Sequence, residues 1–199
     1  MISNDSRPAG LFREASLPLP VAIVLPVAVL LVLLGLLLFP VNLGMLPFSP
    51  DGQLGLLLVI MAIQMLALGD TPVGQYRRSR LLMAVGIAFT AMGVVSCIVP
   101  GLLTGVIQPL LGLLNIAGGA ILLAKRFLPM LRNSPAAPVV LPPILKQLLA
   151  TQTVLNVVSI TFGITMLVPG LAPGTVIAGI VVLNGLLLFV LVSILLKIR

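Results

Sequence analysis

The sequence predicts an all-α, polytopic membrane protein: six transmembrane helices arranged as three parallel helical hairpin repeats. Three observations carry this expectation. First, 60% of the 199 residues are hydrophobic and only 8% charged, with mean hydropathy +1.30, whereas soluble domains carry about a quarter charged residues. Second, several continuous apolar runs reach the roughly 20 residues a helix needs to cross a hydrocarbon core about 30 Å thick. Third, the cations gather in a few segments between those runs. The strict alternation of a transmembrane β-barrel is missing.

The first 18 residues mix Arg7 and Arg13 with Asp5 and Glu14 and read as a cytoplasmic tail. An uncleaved first span is expected over about 19–39, since the run exceeds a signal-peptide core of about 7–15 residues and no small-residue cleavage site follows it. Pro20 at its start is harmless, and Pro26 should bend it slightly. Residues 40–52, with three Pro and two Gly, read as an ordered turn or short re-entrant piece rather than helix. A second span over about 53–69 completes the first hairpin, 19–69.

A polar connector follows, ending in Arg77, Arg78 and Arg80. The apolar run 81–124 would be roughly 66 Å long as one helix at 1.5 Å per residue, about twice what a bilayer needs. Val99-Pro100-Gly101-Leu102 breaks it into spans 81–99 and 103–124, because Pro removes a helical hydrogen bond and Gly accepts backbone geometry other residues resist. Segment 125–147 is expected to be a Pro-rich cytoplasmic connector whose apolar middle, 136–145, lies in the interface. The last hairpin, 148–196, breaks at Val168-Pro169-Gly170-Leu171 into spans 148–168 and 174–196. The expected hairpin turns are therefore marked by Pro40, by Pro100 with Gly101, and by Pro169 with Gly170.

Charge supports this layout. With six spans and both termini inside, all eleven Lys and Arg residues fall on one side, and Asp51 is the only charge on the other. That is the positive-inside pattern. Internal similarity supports it too. A shift of 69 residues superposes Pro100 on Pro169, Gly101 on Gly170, Gly105 on Gly174 and Asn115 on Asn184, with Thr90 on Ser159 and Ser96 on Thr165. The first hairpin fits more loosely. Copies with an even number of spans share one orientation, so the repeats are parallel.

These features resemble the HdeD-like family of small bacterial membrane proteins. The likeness lies in Gly86, Gly93, Pro100, Leu111-Gly112 and Gly118-Gly119 of the middle hairpin, and Gly163, Pro169-Gly170 and Gly174 of the last. It implies a six-span protein of the bacterial plasma (inner) membrane linked to stress, and supplies no catalytic residues.

Chemistry is sparsely provided for. All four carboxylates lie outside the expected spans, His is absent and Cys97 is the single Cys. A metal cluster, a Cys/His or Ser/His nucleophile pair and haem ligation by His therefore have no ligand set, so no catalytic residue, metal or cofactor is expected. Cys97 reads as a small buried apolar residue. Neutral amides remain in or near the spans: Gln64, Gln108, Asn115, Gln152, Asn156 and Asn184. They could line a polar path or tie helices together. Pro109 should bend span four, and Gly112, Gly118 and Gly119 give it small surfaces for close helix approach. Arg77, Arg78, Arg80, Lys125 and Arg126 are candidate lipid-headgroup contacts.

The preferred reading is a non-enzymatic structural, stress-associated or partner-binding membrane component. The alternative is a small-solute or ion channel or carrier with an amide-lined path, and the third is a membrane enzyme acting on lipid. Expected partners are membrane lipids and a second copy or another membrane protein, not nucleic acid, despite the net charge of +7. A water-accessible central cavity touching Asn115, Asn184 or Gln64 would favour the alternative; a dry, Leu-packed centre would favour the first.

Overall fold

A computed structural model describes residues 18–67, 70–71, 74–75, 80–132 and 142–198. The described chain is six helices: α1 (Leu19–Asn42), α2 (Pro50–Ala67), α3 (Arg80–Ile98), α4 (Thr104–Arg132), α5 (Pro143–Leu167) and α6 (Gly174–Lys197). Between α2 and α3 a minimal antiparallel ladder pairs β1 (Asp70–Thr71) with β2 (Gly74–Gln75). Four helices, α1, α4, α5 and α6, are long and apolar enough to cross a membrane; α2 and α3 contain the shorter apolar stretches Asp51–Gln64 and Met83–Ile98. Large side chains such as Leu37, Ile87 and Leu113 are more than half exposed. This surface suits lipid rather than water, and the protein is membrane-embedded.

Helix ends follow local chemistry. Pro142 and Pro143 open α5, and Pro173 precedes α6, where a missing N–H costs nothing. The Ser49 hydroxyl accepts the Gly52 N–H at 3.1 Å and caps α2. The first reversal corrects the expected turn. Pro40 lies inside the last turn of α1, and the chain reverses at Leu43-Gly44 instead. Gly44 takes φ +74°; its N–H reaches the Val41 carbonyl and the Met45 N–H reaches the Pro40 carbonyl. This is a Schellman closure: Pro40 contributes an acceptor and needs no donor there. Gly101 and Gly170 have φ +84° and +82°, so each of the three turns carries one left-handed glycine.

Helix α4 continues through Lys125-Arg126 to Arg132, and α5 begins at Pro143, so both ends of the expected 125–147 connector are helical. Lys and Arg stems can extend a helix beyond its apolar part while their charges stay solvated. The apolar middle of that connector falls largely on 133–141, outside the described residues.

Packing follows the hairpins only in the last of them. Of the helices joined by a short turn, α5 and α6 pack together, whereas α1 with α2 and α3 with α4 touch little; the most intimate pairs are α1–α6, α2–α3 and α4–α5. Each pair closes on glycine. A Cβ on Gly112 would meet the Gly163 carbonyl oxygen at 2.9 Å, and one on Gly163 would meet that of Gly112 at 2.6 Å. Between α1 and α6, a Cβ on Gly35 would fall 2.7 Å from the Val182 nitrogen and one on Gly185 2.9 Å from that of Val32. Backbones approach this closely only where a side chain is missing, the usual basis of helix association in lipid. A Cβ on Gly119 would likewise fall 2.7 Å from the Asn156 carbonyl oxygen, but one on Gly118 would meet open space, correcting its expected packing role.

One core cluster joins Leu31, Leu34 and Leu38 of α1, Leu57 and Leu58 of α2, Ile107 and Leu111 of α4, Phe162 of α5 and Val181 of α6. Helix α3 contributes only partly buried side chains to it and sits outside, against α2. Cys97 is exposed rather than buried, although its thiol lies on the side of α3 that meets α2, 3.5 Å from the Gly52 carbonyl oxygen.

Candidate functional site

The helical period places Gln64 of α2, Asn115 of α4 and Asn184 of α6 on inward faces, and all three border one cavity of about 80 Å³. Its walls are apolar: Leu31, Leu57, Met61, Phe162 and Val181, with Ser159 of α5 as a further polar group. Helix α3 does not reach it. A water needs roughly 10–15 Å³ by this measure, so the space admits several waters or one small solute.

Among the described residues, no charged side chain borders the cavity. Asn115 donates from Nδ2 to the Leu111 carbonyl one turn earlier, at 2.8 Å, which leaves Oδ1 uncommitted. The Gln64 and Asn184 amides make no hydrogen bond among the described residues, so their donors and acceptors are available to an occupant. Each amide offers two N–H donors and a carbonyl acceptor. The arrangement can bind a neutral hydrogen-bonding molecule, and it offers no counter-charge to an ion, whose desolvation would go uncompensated.

The other expected path residues lie elsewhere. Gln108 is two turns from Asn115 toward the turns, donating from Nε2 to the Met166 carbonyl at 3.0 Å, an α4–α5 tie. Asn156 lies on the α5 face that meets Gly119, outside this cavity. The inferred equivalence of Thr90 and Ser159 also separates: Ser159 borders the cavity, while Thr90 donates to the Gly86 carbonyl of its own helix at 2.9 Å.

Among the expected headgroup contacts, half-buried Arg126 also reaches α5. Its guanidinium donates to the Leu149 carbonyl and, at 2.7 Å, to the Thr153 hydroxyl, clamping α4 to α5. A long α4 carries this cation past the end of the bundle core, within reach of α5. Lys125 also has an interaction partner. Arg77 and Arg78 lie outside the described residues, and Arg80 opens α3.

Asp51 and Asn42 were not expected from the sequence to take part. Asp51, seen only as a lone charge, accepts the Gly101 N–H at 2.8 Å and the Thr104 hydroxyl, while its backbone carbonyl accepts the Ser96 hydroxyl at 3.0 Å. It therefore binds the first turn to the second. Asn42, assigned to a turn, ends α1 and packs its side-chain oxygen against Gly174. The signal for Asp51 was its place in the first turn of a helix, where carboxylates are favoured.

Comparison with known proteins finds no family model, curated protein or solved structure that matches the chain.

Proposed function

We propose that this protein crosses the plasma membrane six times, with both termini cytoplasmic, and passes small uncharged hydrogen-bonding solutes through its centre. The observation that carries the reading is the convergence of Gln64, Asn115 and Asn184 on one uncharged cavity. With the short turns at the outer surface, Asn115 stands roughly 16 Å along α4 from Thr104 at 1.5 Å per residue, near the middle of a bilayer. The six-span layout adopts α2 and α3 as spans, because it keeps every cation on one face. The HdeD-like resemblance is part of the proposal only for membrane and topology. No covalent step is involved.

Reconstitution tests this reading. Proteoliposomes should equilibrate urea or glycerol faster than empty liposomes and show no added leak of Na⁺, K⁺ or Cl⁻. Asn115→Leu and Asn184→Leu should return uptake to the empty-liposome rate. Equal rates with and without protein, across a panel of neutral solutes and ions, would favour the structural or partner-binding role, which draws its support from the packed Leu58 and Leu111 layer.

A further inference from the structure

A second cavity, of about 200 Å³, lies toward the turns and is bordered by Asn42, Gln53 and Gln108. Leu57 borders both cavities. On α2 the residues Gln53, Leu57 and Gln64 fall within roughly 40° of one another at 100° per residue, so polar, apolar and polar groups follow one another along a single inward face. Helix α4 repeats the order with Gln108, Leu111 and Asn115. Leu57 and Leu111 are 8% and 1% exposed, so buried hydrocarbon stands between the polar groups of the two cavities.

The amides of the second cavity are partly committed. Asn42 donates from Nδ2 to the Leu38 carbonyl at 2.7 Å, and Gln108 from Nε2 to the Met166 carbonyl. The Gln108 side-chain oxygen remains as an acceptor, while that of Asn42 lies against Gly174 at the cavity's edge. Among the described residues no charged side chain borders this cavity either.

We propose that Asn42, Gln53 and Gln108 form an outer binding niche for neutral solutes rich in O–H or N–H donors, with Leu57 as the barrier between this niche and the inner cavity. This rests on the solute-passage reading and adds a second station and a gate to it. A hydrophobic constriction holds back water and polar solute because neither finds a partner there. Widening it should lower the barrier, and filling it should raise it.

The test uses the full chain in proteoliposomes, with glycerol and urea as probes and size-exclusion chromatography as the check on folding. Leu57→Ala should raise the uptake rate about tenfold and Leu57→Phe should lower it about tenfold, each a modest change in barrier. Since Leu57→Ala removes a core side chain, labelling gives an independent reading in a Cys97→Ser background. A membrane-impermeant maleimide applied from the turn side should modify Gln53→Cys, and should modify Asn115→Cys at least tenfold more slowly while Leu57 is intact. Uptake by the unsubstituted protein that ignores both Leu57 changes, with Gln53→Cys and Asn115→Cys labelled equally fast, would overturn the gate and leave solute passage standing. Absence of uptake by the unsubstituted protein would overturn passage and the niche with it.

Discussion

Gly55 of α2 and Gly93 of α3 touch backbone to backbone: a Cβ on Gly55 would fall 2.5 Å from the Gly93 carbonyl oxygen, and one on Gly93 would fall 2.6 Å from that of Gly55. No side-chain movement can relieve such a clash, because the obstacle is main chain. Gly55→Ala and Gly93→Ala should each destabilise the protein by about 1–3 kcal/mol, the usual cost of overpacking. Gly118→Ala, with no heavy atom near its Cβ position, should be neutral or stabilising by up to about 1 kcal/mol through helix propensity. Thermal unfolding in detergent checks the contrast.

Asp51 holds two turns together through its carboxylate. Asp51→Ala would leave the Gly101 N–H and the Thr104 hydroxyl without their acceptor, and remove a carboxylate from the first turn of α2. The expected loss is about 1–2 kcal/mol. Thr104→Val should cost less, because the Gly101 contact survives. Faster proteolysis at 99–103 in the Asp51 variant would be the visible sign.

The left-handed glycines offer a test free of packing. Nothing lies within 4 Å of a Cβ placed on Gly44, Gly101 or Gly170, so replacement by Ala strains the backbone alone, by about 1–2 kcal/mol. Asn tolerates this conformation better than Ala, so Gly101→Asn and Gly170→Asn should recover part of the loss in the same melting experiment.

Stability and passage should separate at Asn184. Its amide has no partner among the described residues, so Asn184→Leu breaks no hydrogen bond and fills polar space with hydrocarbon. The melting temperature should hold or rise while uptake falls to background. A parallel fall in both would mean that Asn184 supports the fold rather than the solute.

The legible and illegible parts of this fold have different physical origins. Apolar run length and the Pro-Gly breaks are local properties, so both later turns lie where those residues are. The pair Asn115 and Asn184 came from the 69-residue shift, and the two do share a cavity. Pro40 misled because proline is well tolerated near a helix end that closes through its carbonyl, and the glycine that turns the chain stands four residues later. The choice of packing partner was not readable at all. In a helix nearly uniformly apolar around its circumference, no stripe distinguishes a face meeting another helix from one meeting lipid; only the glycines mark it, and they do not say with whom they pair. Gln53 and Asn42 were overlooked because a position next to a turn hides its helical face.

Because α1 is matched to α6, it waits for a partner synthesised after four intervening helices. During biogenesis its glycine-bearing flank at Gly35 stays unmatched until Gly185 has left the ribosome and inserted. Nascent chains truncated after α5 should therefore remain bound to insertion machinery or be degraded, and release should coincide with completion of α6 rather than proceed hairpin by hairpin.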